Sequence, residues 1–367
     1  MATRIGFNPH VTALPAYNAG LNLAVAQRIS GRDDIARLAS NENPDGCSPE
    51  VLAALAPAVV EPWRYADPAC AALREALGAH LGIAPDCIVA GNGSEEMIAA
   101  VSRAVLQPGQ EVLTVVPSFG LHEIEPLAVG ARVTKVAMTA DLDFDLDALV
   151  AALAWAPRLF MLSSPWNPVG PALSREALMR LVGAMSPDTL LVFDEAYFEY
   201  ADGSDVPDVI ALLSGAGVRF VVLRTFSKAY GLAGLRVGYA ACSDAELAAA
   251  LSKAKTPFNV NAAAQAAAMA ALQDQAWMKA SVARTRVERE RVAVALRAMG
   301  FAPARSQTNF LFFDCGRSST QVAEGLLHEG IIVKPWREPG YEQFLRVTIG
   351  HAGDNDRFLA ALHRLTA

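Results

Sequence analysis

Two spacings of apolar residues take turns along most of this chain. Runs of strand length fall at residues 88–90, 111–116, 132–136, 158–163, 189–193 and 220–223, while residues 69–81, 97–106, 146–153, 175–185 and 245–251 read as helices. Strands buried on both faces read as near-continuous apolar runs, so this order predicts parallel strands with helices crossing between them. Ahead of them, residues 1–44 read as an extended arm, a short helix at 21–29 and a strand at 35–39 that ends in the turn Ser40-Asn41-Glu42-Asn43-Pro44. Ser48 before Pro49 is a capping serine with proline at the first helical position, which opens another helix.

Beyond residue 262 an Ala-rich helical region runs toward 299, broken at most once near 273–277. A strand at 309–313, a helix at 320–329, strands at 331–334 and 344–349 and a helix at 354–364 complete the chain. The expected fold class is α/β: a mostly parallel central sheet sandwiched by helices, with a smaller α+β C-terminal domain. The expected boundaries are an N-terminal arm and small-domain segment at 1–44, a large domain at 45–257 and the small domain at 258–367. Neither an internal repeat nor a low-complexity linker interrupts this plan.

Composition narrows the classes. Of 367 residues, 53% are hydrophobic and 19% charged, which marks a well-buried globular protein with length for more than one core. A net charge of −7 without a basic run argues against a nucleic-acid partner. Cys47, Cys70, Cys87, Cys242 and Cys315 are scattered and odd in number, which favours a reducing cytoplasm over a disulfide framework or zinc site. No signal peptide or membrane-spanning run is expected.

The chemistry centres on Lys228. It follows an apolar strand and Ser227, and precedes Gly231, Gly234 and Gly238 in a turn-rich segment where backbone can approach a ligand closely. A confined, desolvated amine loses preference for its charged form and attacks aldehydes. Eight residues on, Arg236 offers a planar fork for a phosphate or carboxylate. Amine and fork together suggest a phosphorylated aldehyde as cofactor. A third phosphate contact is available where the strand at 88–90 passes through Gly91-Asn92-Gly93 to Ser94 and Glu95, because a helix start presents free N–H groups. Alone, that feature is a helix cap.

The run Ser227-Lys228-Ala229-Tyr230-Gly231-Leu232-Ala233-Gly234-Leu235-Arg236-Val237-Gly238-Tyr239 resembles the cofactor-lysine motif of the fold type I pyridoxal-phosphate aminotransferases, most closely the histidinol-phosphate aminotransferase family. The resemblance spans roughly the whole chain and implies a homodimer with shared active sites, in which Lys228 condenses with the aldehyde of pyridoxal 5′-phosphate. It further implies that Asp194, at the tip of a buried strand, faces the pyridine nitrogen. Asn167, in Ser164-Pro165-Trp166-Asn167-Pro168-Val169-Gly170, and Tyr197 would reach the ring oxygen. Ser94, the Glu95 amide, Ser227, Arg236 and a neighbour's Tyr65 would hold the phosphate. Phe119, where the family usually has tyrosine, would stack on the ring; by itself it reads as a core phenylalanine.

On the substrate side the resemblance implicates Tyr17, Asn43 within Leu38-Ala39-Ser40-Asn41-Glu42-Asn43-Pro44, Lys334 and Arg346. Tyr17 reads equally as an anchor of the arm, and Tyr65 as a residue packed in a loop. Lys334 stands where the family commonly has arginine, and keeps the charge without the fork. The implied activity is amino transfer from a small amino donor to a 2-oxo acid, with histidinol phosphate as family default. Phe119, Lys334 and Trp336 leave room for aromatic amino acids. An amino-acid-phosphate decarboxylase would share every cofactor residue, and a non-catalytic cofactor-binding regulator is the alternative from another class. Asp194 and Glu195 also admit a metal reading, but adjacent carboxylates on a strand point apart and no histidine is near in sequence, so no metal is expected.

Overall fold

The computed structural model describes residues 5–16, 20–58, 61–203 and 205–366, so Tyr17 lies outside the described residues. In chain order the strands are β1 (Ala36–Arg37), β2 (Ile88–Gly91), β3 (Glu111–Val116), β4 (Arg132–Ala137), β5 (Leu159–Ser163), β6 (Leu190–Asp194), β7 (Phe220–Thr225), β8 (Gly238–Cys242), β9 (Phe310–Asp314), β10 (Ile331–Ile332), β11 (Lys334–Pro335) and β12 (Phe344–Thr348). Seven of them form the central sheet in the order β2-β8-β7-β6-β5-β3-β4. Its neighbours are parallel except where β8 meets β7 and β2.

Two-residue alternation along these strands serves two cores. Leu113, Val115, Phe160, Leu162, Leu191 and Phe193 pack with one set of helices, while Val112, Leu159, Met161, Leu190 and Val192 pack with those on the other face. A mostly parallel sheet therefore carries helices on both sides, as the apolar runs predict. A three-stranded antiparallel sheet, β11-β12-β9, has a separate core that includes Leu311, Phe313, Leu345, Val347, Phe358 and also Ala36 and Leu38 from the start of the chain. Strand β1 pairs in parallel with β10, Ala36 opposite Ile331.

Several expected boundaries move. The helix expected at 97–106 begins at Gly93, since its first turn is polar and the apolar period starts only in the second. Residues 331–334 are not one strand: β10 joins β1, and β11 turns to pair with β12. Gly238 is not in a turn but opens β8, between Thr225 and Gly91. The arm contains a short helix, Pro9–Thr12, capped by the Asn8 side chain. Helices Leu121–Ala128 and Val209–Ala216 escape the apolar-period reading. Among the described residues no helix is long and apolar enough to cross a membrane.

Candidate active site

The site lies where open α/β sheets place ligands, beyond the carboxyl ends of the parallel strands. Asp194 is the last residue of β6, paired with Ser163 of β5 and Leu223 of β7, and only 4% of it is exposed. Its Oδ2 lies 3.1 Å from His122 Nε2, and its Oδ1 accepts from the Ala196 amide. His122 sits in helix Leu121–Ala128, with Phe119 edge-on at 5.7 Å between ring centroids. The sequence places no histidine near Asp194, so this pairing corrects that expectation; it arises because the chain leaving β3 returns over the tip of β6. Glu195 points the other way, to Arg224 Nε at 2.8 Å. The two carboxylates thus share no ligand space, and among the described residues no group of three metal-binding side chains occurs.

Lys228 follows β7 in the loop after Thr225. Its Nζ donates to the Ser40 carbonyl oxygen at 3.0 Å. The side chain is half-buried in a cleft crowded by protein atoms, and its pKa is pushed down to about 8, chiefly by desolvation and then by the Arg346 guanidinium. Ser40 has two neighbours that do similar work. The Ala39 carbonyl accepts from Arg346 Nη2 at 2.7 Å, and Asn41 Nδ2 donates to the Tyr197 hydroxyl at 2.7 Å. Arg346 Nη1 also donates to Asn167 Oδ1 at 2.6 Å, which fixes the Asn167 amide and leaves its Nδ2 as the end with donors to offer.

The helix starting at Gly93 meets the start of β8 at very close range. A Cβ on Gly238 would lie 2.6 Å from the Ser94 nitrogen, so only glycine permits this approach. Arg236 adopts φ +58° and sends Nη2 to Glu95 Oε2 at 2.9 Å, with Nη1 3.5 Å from Ser227 Oγ. Helix-start amides, the hydroxyls of Ser94 and Ser227 and the Arg236 guanidinium make a donor set that fits a phosphate. A desolvated amine at Lys228 fits an aldehyde, and a buried carboxylate at Asp194 fits a ring N–H. The residues present therefore suit pyridoxal 5′-phosphate.

Other expected residues fall differently. Asn43 Nδ2 donates to Ala229 O and Ser281 Oγ, both at 3.0 Å, so its donors are committed beside the lysine loop. Tyr65 is 83% exposed on its own chain and stacks on Phe258 at 4.5 Å. Lys334 is opposite Arg346 across the β11–β12 ladder, and burial followed by Arg346 and Arg337 lowers its pKa to about 8. Asn41 and Thr348 are buried site neighbours that the sequence motifs do not single out as functional; the long-range contacts that define them have no local signature.

Comparison with known proteins agrees with this geometry. The family model described as aminotransferase class I and II matches residues 33–362. Histidinol-phosphate aminotransferase 1 of Mesorhizobium japonicum is 46% identical over 97% of this chain and 97% of its own length. Histidinol-phosphate aminotransferase 3 of Rhizobium meliloti is 46% identical over 97% of this chain and 96% of its own. The crystal structure of a histidinol-phosphate aminotransferase from Sinorhizobium meliloti in complex with pyridoxal-5′-phosphate is similar with a TM-score of 0.90 and 31% identity, covering 100% of this chain and 98% of that one. The chain belongs to the class I and II aminotransferases, and within them to the histidinol-phosphate aminotransferase family.

Proposed function

We propose that this chain transfers the amino group of histidinol phosphate to 2-oxoglutarate, a step of histidine biosynthesis, using pyridoxal 5′-phosphate in a cytoplasmic homodimer. The observation that carries the substrate is the cation pair Lys334 and Arg346. Like charges opposite one another across a ladder are unfavourable, and the Lys334 pKa, depressed chiefly by burial, is lowered further by Arg346. An anionic group seated between them relieves that repulsion, and the phosphate of histidinol phosphate or a carboxylate of the acceptor has the charge to do so. Trp336 stands close by, 5.9 Å from ring to Arg346 guanidinium, as an apolar wall for an aromatic side chain.

When bound, pyridoxal 5′-phosphate supplies an aldehyde and an electron-withdrawing ring that make the donor's amine-bearing carbon acidic. The protein supplies the rest. Ser94, the Glu95 amide, Ser227 and Arg236 would grip the phosphate, with Tyr65 of the partner subunit completing the cup. Asp194, oriented by His122, would hold the ring nitrogen protonated. Asn167 Nδ2 and the Tyr197 hydroxyl would donate to the ring oxygen, and Phe119 would cover the ring face. Lys228, with its pKa lowered to about 8, is suited to carry a proton between the donor carbon and the cofactor's C4′ carbon. Residues 45–257 would act as the cofactor domain and 1–44 with 258–367 as the smaller one, in keeping with Ala36 and Leu38 sharing the core of β9, β10 and β12. The free, scattered cysteines suit a reducing compartment.

The test is a half-reaction panel in which donors are added singly to the holoenzyme and the visible band of the bound cofactor is followed. Histidinol phosphate should bleach it at far lower concentration than tyrosine or phenylalanine. Faster bleaching by an aromatic amino acid, or release of carbon dioxide from a phosphorylated amino acid, would replace this assignment.

A further inference from the structure

Asn41 is 1% exposed and adopts φ +56°, a left-handed conformation that asparagine tolerates better than most side chains. Its amide is oriented by hydrogen bonds to Thr348 and Tyr197. The Asn41 backbone N–H donates to Thr348 Oγ1 at 2.9 Å, and the Thr348 hydroxyl donates to Asn41 Oδ1, also at 2.9 Å. With Oδ1 accepting, the end that meets the Tyr197 hydroxyl at 2.7 Å is Nδ2. Asn309 Nδ2 holds the Asn41 carbonyl at 2.9 Å, which pins the backbone as well. The Tyr197 oxygen is therefore an acceptor from an amide. A hydroxyl that accepts one hydrogen bond donates the next more strongly.

We infer that Asn41 is a positioning residue that polarises the Tyr197 hydroxyl and so sets the proton affinity of the Lys228 nitrogen once it is joined to the cofactor. This rests on the reading that Tyr197 donates to the ring oxygen. A stronger donor there draws negative charge off the Lys228 side of that oxygen and makes the nitrogen easier to deprotonate. The other charged groups around Lys228 are Arg346, Arg236, Glu95 and Glu42, and the variants below leave all four in place.

The experiment is a pH titration of the visible absorbance of the holoenzyme for the parent, Asn41→Gly, Tyr197→Phe and the double variant. Glycine keeps the positive φ without strain. Asn41→Gly should raise the midpoint by about 0.3 pH unit, Tyr197→Phe by about one unit, and Asn41→Gly should add nothing in the Tyr197→Phe background. Equal shifts from Asn41→Gly in both backgrounds, or none in the parent while Tyr197→Phe shifts, would overturn the inference and leave the function intact. A parent with no lysine-linked visible band would overturn both. If Asn41→Gly holds cofactor poorly, Asn41→Asp carries the test: its carboxylate would take the phenol proton, so its midpoint must move up more in the parent than in the Tyr197→Phe background.

Discussion

Lys228 Nζ and the Ser40 carbonyl oxygen are joined by a 3.0 Å hydrogen bond between residues 188 positions apart. The amine at the centre of the chemistry is thus aimed by a turn from the start of the chain. Because burial brings its pKa down to about 8 from 10.5, the neutral form is half populated near pH 8. Cofactor capture by the cofactor-free protein should accelerate as pH rises through that value. Stopped-flow absorbance checks this, and a rate still climbing steeply above pH 10 contradicts it. Lys228→Ala should lower turnover by at least about 10³-fold while leaving thermal unfolding cooperative.

Lys334 gives the opposite sign. It is charged below about pH 8 and neutral above, so affinity for an anionic donor should weaken as pH passes that point. Lys334→Arg, which stays charged, should flatten the rise of KM with pH between 7 and 9. Steady-state KM for histidinol phosphate across that range is the readout.

Arg236 divides its charge between the phosphate cup and Glu95. Glu95→Gln removes the competitor, and cofactor affinity should rise by up to about fivefold, the worth of a partly exposed ion pair. Arg236→Gln should weaken it about 10- to 100-fold. Fluorescence titration with pyridoxal 5′-phosphate distinguishes the two; weaker binding in Glu95→Gln would show that the carboxylate positions Arg236 instead of competing for it.

At Gly238 an added methyl would meet backbone on two sides, the Gly93–Ser94 peptide at 2.6 Å from Ser94 N and 2.8 Å from Gly93 C, and Arg224 O at 2.9 Å. Gly238→Ala should cost about 1–3 kcal/mol and weaken cofactor binding with it. Tm and cofactor titration would both fall. A variant that lost Tm alone would show that the cup tolerates the shift.

Much of this plan is legible in the sequence because buried parallel strands write themselves as apolar runs, so β3, β5, β6 and β7 sit within a residue or two of their expected places. Lys228, Asp194 and Arg236 could be singled out because each breaks a local pattern: a charge at the edge of a strand or among glycines. His122 carries no such mark. It lies in helix Leu121–Ala128, where Pro126 and two glutamates blur the apolar period, and its meaning comes from Asp194, 72 positions away. Strand β8 is Gly-Tyr-Ala-Ala-Cys, whose small residues signal neither spacing. Asn41 reads as a turn residue, and its left-handed backbone agrees; its partners Tyr197 and Thr348 are 156 and 307 positions on.

Three successive residues, Ala39, Ser40 and Asn41, each grasp a different site side chain, and they hang from β1, whose partner is β10. Trimming the chain from its front is therefore not a harmless edit. A deletion that reached residue 41 would strip Arg346, Lys228 and Tyr197 of their anchors in one stroke and bare the edge of β10, so an engineer shortening this enzyme, or fusing a tag close to that strand, would be rewriting its catalytic pocket from thirty-odd residues into the chain.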